Sequence, residues 1–199
     1  YEYQIETYQK QKILYEKTKN KKNILEIGTY MGHSLLIILM ANPCVNITCI
    51  DINDRYSLPS VRYLQREFPN SSINFYKSDS LKVLKNLKEK YDLIHIDGTH
   101  KNKVVTKEFY YCMNLIQENN AEFIFDDREN ISILIENIIG TFFIKDSVSS
   151  DCIYGNLYLN IIFPKNKFIY GYKKLNFFLK NLFSYIFLKI KKLLRLKKI

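Results

Sequence analysis

The chain has no tryptophan, six glycines and four prolines among its 199 residues. So few glycines and prolines exclude a collagen-like or low-complexity chain. Its four cysteines, Cys44, Cys49, Cys112 and Cys152, include no C-x-x-C pair and no metal-ligand spacing. That excludes a zinc ribbon and a disulfide scaffold, and they read as reduced packing residues of a cytoplasmic protein. No secretory leader pattern is visible, and the opening residue is Tyr1 rather than Met, which leaves room for a longer product. What remains, 47% hydrophobic and 25% charged, is ordinary for one globular domain.

Acidic residues are missing from 164–199, where eleven lysines and arginines stand. The remaining 30 − 11 = 19 basic residues face all 20 acids, so the body is near neutral at −1 while the tail carries +11. A globally basic chain suggests nucleic acid. A basic tail on a neutral body points to something that the tail alone touches.

Residues 1–20 predict a helix laid against the domain, with a domain body at 21–163 and a basic amphipathic tail at 164–199. The body alternates. Strands are predicted at 23–27, 45–52, 73–77, 91–96 and 122–125, and helices at 32–41, 58–68 (Pro59 in the first turn), 81–90, 103–117 and 130–139. Two further strands, 141–145 and 154–163, flank a polar loop at 146–151 and predict an edge hairpin. The expected fold is α/β: a Rossmann-like, doubly wound seven-stranded sheet, mostly parallel, with an antiparallel hairpin at its edge and a basic amphipathic C-terminal helix.

In such a sheet the carboxyl ends of the first five strands share one rim. That rim collects Glu26 and Gly28, Asp51, Asp79, Asp97 and His100, then Asp126 and Asp127. A glycine turn between strand and helix exposes backbone N–H groups and admits a ligand closely. An acid ending the second strand can accept bonds from both ribose hydroxyls. Asp79 is placed to accept from an adenine amino group. The glycines are spaced G-x-x-x-G, not G-x-G-x-x-G, and no Walker lysine follows, which disfavours a nicotinamide dinucleotide or a P-loop nucleotide. The set describes an adenosine site.

These residues carry a resemblance. EIGTYMGHS is similar to motif I of class I S-adenosylmethionine-dependent methyltransferases, especially the small-molecule O-methyltransferases. IDGTH and FIFDD resemble the IDGDH and VDD segments of the branch that includes macrocin-type sugar O-methyltransferases. The resemblance implies an S-adenosylmethionine-dependent transfer to a hydroxyl of a small molecule, such as a sugar. It implies that Glu26, Gly28, Thr29 and Ser34 line the methionine part of the cofactor as it passes over the Gly28–Gly32 turn, that Asp51 holds the ribose and Asp79 the adenine, and that Asp97 borders the same site. It also implies a Mg2+ ion on Asp97, Asp126 and Asp127, lowering the pKa of the acceptor hydroxyl.

One departure stands out. The branch often places an acid two residues after the IDG aspartate as general base, where this chain has Thr99. His100 follows and can accept a proton. Three readings stay open: His100 is the base, the metal suffices, or activity is reduced and the fold acts as a ligand-binding, membrane-tethered or RNA-associated scaffold. The D/N-P-P-Y segment of nucleic-acid amino methyltransferases and the Lys-Asp-Lys-Glu set of ribose methyltransferases are both absent, so nucleic acid is the less favoured acceptor. His95 and Cys112 read as core.

In the tail, Leu175, Phe178, Leu179, Leu182, Ile186, Ile190, Leu193 and Leu194 keep helical spacing, with Phe177, Phe183 and Phe187 widening the face. Its longest uncharged run, residues 181–188, falls far short of the ~20 residues that span a bilayer. The pattern predicts peripheral contact with an anionic membrane surface or an acidic partner.

Overall fold

In the computed structural model, residues 5–116, 120–152 and 155–196 are described, and the side chains of 5, 6 and 192–196 are not. Helix α1 (Ile5–Thr18) precedes β1 (Asn23–Ile27), α2 (His33–Ala41), β2 (Asn46–Asp51), α3 (Asp54–Glu67), β3 (Ser72–Lys77), α4 (Ser80–Asn86), β4 (Leu93–Ile96), α5 (Asn102–Cys112) and β5 (Asn120–Phe125). A 3₁₀ turn (Arg128–Ile131), α6 (Ser132–Ile139), the edge strands β6 (Phe143–Ser149) and β7 (Leu157–Ile162), and α7 (Lys167–Leu196) complete it. The sheet order is β3-β2-β1-β4-β5-β7-β6, with β1 to β5 parallel and β7 antiparallel to both of its neighbours. The expected seven-stranded, doubly wound architecture is present.

Strand periodicity explains the two cores. Leu25, Ile27, Ile94, Ile96, Phe123 and Phe125 pack on one face with α4, α5 and α6. Their neighbours Ile24, Leu93 and Ile124 pack on the other with Leu14 of α1, Leu35 and Ile38 of α2, and Val61 and Leu64 of α3. The central strands therefore read as near-continuous apolar runs, interrupted in β1 by Glu26 and in β4 by His95, as a sheet covered on both sides requires. The register Ile27↔Ile50, Ile27↔Ile96 and Ile96↔Phe125 ends the central strands level with one another. That levelling is what gathers the rim.

Several expectations need correction. The edge strand β6 is Phe143–Ser149, and Asp146 pairs with Asn160 inside it rather than opening a loop. An exposed edge carries polar residues on its solvated side, so composition alone mistakes it for a turn. The predicted start of the last strand, Tyr154, lies outside the described residues, and the strand itself begins at Leu157. Helix α3 begins at Asp54, capped by the Asn53 side chain accepting from Arg55 N (2.9 Å), so Pro59 lies beyond its first turn. Cys44 is exposed and so is not a packing residue, whereas Cys49, Cys112 and Cys152 are buried.

Helix α7 divides into two halves. Phe177, expected on the outer face, is fully buried, its ring 5.2 Å from that of Phe109 and 5.8 Å from that of Phe142. The Tyr170 hydroxyl donates to Met113 O (2.9 Å), Lys173 Nζ to Thr141 O (3.0 Å) and Lys180 Nζ to Gly140 O (2.8 Å). These bonds hold the proximal half on α5 and α6. Beyond it, Leu182, Phe183, Ile186, Phe187 and Ile190 are exposed. Among the described residues no helix is long and apolar enough to cross a membrane.

Candidate functional site

The carboxyl edge of β1 to β5 opens into a cleft of about 890 Å³. Its floor is the β1–α2 turn. Gly28 (φ +89°), Tyr30 (φ +42°) and Gly32 (φ +76°) all take left-handed backbone. A Cβ on Gly28 would lie 2.2 Å from Asp97 O, so glycine is required both by backbone conformation and by the close pass of the β4–α5 loop. A Cβ on Gly32 would meet Ser60 Cβ at 2.9 Å. Gly32 thus seats the turn against α3, while Gly28, Thr29 and Ser34 line the cleft.

Glu26 sits beneath the cleft rather than in it. It is fully buried, and its carboxylate accepts from Thr29 Oγ1 (3.0 Å), Ser34 Oγ (2.7 Å) and Cys49 Sγ (3.7 Å). The expectation that it lines the cofactor pocket gives way to a positioning role, because its oxygens are spent on fixing the turn's hydroxyls. Asp51 Oδ2 accepts from Thr29 N (3.0 Å) and Tyr30 N (2.7 Å), and Oδ1 from Asn53 N (2.8 Å). That clamp fixes the carboxylate at the mouth of the turn. Asp79 also lines the cleft, and its side chain caps α4 by accepting from Lys82 N (3.3 Å).

The opposite side gathers the other acids. His95 is buried at the base of the cleft with Nδ1 3.6 Å from Glu26 Oε1. Burial disfavours its charged form, but Glu26 and Asp97 outweigh that and raise its pKa. Burial lifts the Asp97 carboxyl well above the usual range, with His95 opposing and Asp126 adding. Asp126 moves down: its burial is outweighed by hydrogen bonding to Asp97 and by Lys10. Two close carboxyls sharing one proton behave this way. Lys10, from α1, places Nζ 2.5 Å from Asp126 Oδ1 and 3.9 Å from Asp127 Oδ1. His100 Nδ1 lies 2.6 Å from Asp127 Oδ2. Asp127 is raised by its own burial and by Asp126, against the pull of His100 and Lys10. The expected trio is therefore only partly assembled. Asp97, His100 and Asp126 can each bring one ligand atom within 4.8 Å of the others, while Asp127 turns to His100.

Residues 25–128, just over half of the chain, match the family described as a methyltransferase domain. The chain belongs to that family. Within the methyltransferase-domain family it is similar to the tapetum-specific methyltransferase 1 of Arabidopsis thaliana, at 32% identity over 90 residues, covering 43% of this chain and 39% of the relative. It is 38% identical over 72 residues to a putative caffeoyl-CoA O-methyltransferase of the same plant, covering 36% and 31%. The chain thus spans well under half the length of these relatives. The fold is similar to that of the O-methyltransferase TomG from Streptomyces achromogenes, solved with S-adenosylmethionine, with TM-score 0.61, 16% identity, and 76% and 78% of the two chains covered.

The geometry brings further residues to the site of this methyltransferase domain. Glu108 of α5 lines the cleft though its residue is almost fully buried. It accepts from Ser80 Oγ (2.5 Å), and its second oxygen has no partner. Burial raises its pKa, Ser80 opposing and Asp79 adding. Its signal was readable: it is an acid inside the apolar stripe of Val105, Phe109 and Cys112. Lys10 and Gln11 of α1 and Asn156 before β7 also line the cleft. Nothing local marks these, since each arrives from an element distant in sequence.

Proposed function

We propose that this chain transfers a methyl group from S-adenosylmethionine to a hydroxyl of a small molecule, of which a sugar is one class. The observation that carries the reading is His100, held by Asp127, lining the same cleft as the glycine turn. The residues present suit the cofactor. The left-handed turn keeps its backbone open, Asp51 is clamped where a ribose would sit, and Asp79, Ser80 and the unpartnered Glu108 oxygen lie at the adenine end. When bound, the cofactor would supply an electrophilic methyl on a cationic sulfur, the sulfur keeping the electron pair of the S–C bond when the acceptor oxygen takes the methyl.

The chain's own part is alignment and proton transfer. Asp127 accepts from His100 Nδ1, which fixes the ring and leaves Nε2 free to take the acceptor hydroxyl's proton. His95 and Glu26 hold the floor. Thr7, Gln11 and Asn156 supply polar groups on the acceptor side. The magnesium ion that the family resemblance implies does not fit while Lys10 occupies Asp126.

Titration calorimetry with S-adenosylmethionine, followed by transfer assays on hydroxyl acceptors, tests the reading. His100→Gln should lower the transfer rate by about 100-fold or more with cofactor affinity unchanged. Absence of cofactor binding overturns the proposal. Binding without transfer favours the scaffold reading, and transfer to amines alone removes the hydroxyl.

For partners, the distal half of α7 supports contact with an anionic membrane surface. Phe183 and Phe187 are about two-thirds exposed beside Lys189 and Lys191, in a segment without one acid. Flotation with anionic and neutral vesicles should show binding to the anionic ones only, weakened in Lys189→Glu/Lys191→Glu. Equal flotation of both variants sinks this contact.

A further inference from the structure

The carboxylates ending β4 and β5 form the seat that the family resemblance assigns to a divalent ion, and Lys10 is already in it. Its ammonium lies 2.5 Å from Asp126 Oδ1 and 3.9 Å from Asp127 Oδ1, on a side chain more than two-thirds buried. The helix that brings it is anchored independently: Ile13 and Leu14 of α1 are buried in the core face shared with α2. The remaining Asp127 oxygen is taken by His100 at 2.6 Å. A divalent ion entering here would meet one positive charge about 4 Å or less away and would have to displace it.

We propose that Lys10 is the resident cation of this cluster. With α1 docked, its ammonium neutralises Asp126 and holds the strand ends together, and the seat takes no divalent ion at physiological concentration. Removing the ammonium while keeping the side chain's bulk opens a divalent-cation site built from Asp97, His100 and Asp126, whose ligand atoms lie within 4.8 Å of one another. Hard carboxylate oxygens with one imidazole suit manganese or magnesium. This assignment concerns cation occupancy and is read without any methyl transfer, so its failure is separable from failure of the proposed reaction.

The test is Mn2+ titration of the full chain at neutral pH, followed by electron paramagnetic resonance of free Mn2+. The wild type should show no saturable site up to millimolar metal. Lys10→Met should gain one site with affinity at least about tenfold tighter, the shift corresponding to loss of one opposing charge. Lys10→Arg should behave as wild type, and Lys10→Met/Asp97→Asn should lose the gained site. Circular dichroism and melting curves establish that each variant is folded, and Lys10→Gln repeats the measurement should Lys10→Met not fold. Saturable Mn2+ binding to wild type as tight as to Lys10→Met overturns the inference, as does failure of both folded neutral variants to gain a site.

Discussion

Replacing Gly28 by alanine adds one methyl group at the point where the β1–α2 turn and the β4–α5 loop cross. The new Cβ would stand 2.2 Å from Asp97 O and 2.5 Å from both Asp97 C and Gly98 Cα. All three are backbone atoms, so no rotamer relieves the clash. Moving to even a tight contact of ~3.2 Å requires a backbone shift of about 1 Å. Two short bonds resist that shift, Asp97 N to Ile27 O (2.7 Å) and Gly28 N to Ile50 O (2.8 Å). Holding alanine at φ +89° adds about 1–2 kcal/mol, and weakening one ladder bond about 1 kcal/mol more. The expected loss is about 3 kcal/mol, or a melting temperature lower by roughly 6–12 °C for a domain of this size. Gly171 supplies the opposite case. It lies inside α7 and a Cβ there would have nothing within 4 Å. Gly171→Ala should therefore stabilise by about 0.5–1 kcal/mol. Urea denaturation of both variants checks the pair. A Gly28→Ala protein within 1 kcal/mol of wild type would refute the reading of the turn as locked to the β4–α5 loop.

Two further predictions concern buried groups. Glu108 has its pKa raised in the folded state above the ordinary 4.5, first by burial. The unfolded chain therefore releases this proton at lower pH than the folded one, and stability falls as pH rises through and above that value. Glu108→Gln removes the penalty, so its stability relative to wild type should be greater at pH 8 than at pH 4 in denaturant titrations; an equal difference at both would discard it. Phe177→Ala should cost about 3–5 kcal/mol and speed amide exchange along α7, read by denaturation and hydrogen-exchange mass spectrometry. A cost below 1 kcal/mol would mean that the proximal half of α7 is not part of the core.

The alternation of strands and helices, the G-x-x-x-G turn and an acid at the end of each parallel strand are local patterns, set by periodicity and turn chemistry, and they determined the fold class and the rim. The basic tail was equally plain from its charge, since no fold can bury eleven uncompensated cations. Tertiary structure decided how those residues are shared out. Glu26 went below the cleft because two hydroxyls of its own turn claim it. Asp127 went to His100, Phe177 to the core, and Lys10 crossed from the first helix to Asp126. Each of these depends on which distant element arrives at the carboxyl edge of the sheet, and no period of 2 or 3.6 residues encodes that. The sequence alone determined that a ligand cleft exists at the strand ends; only packing decided which cation stands inside it.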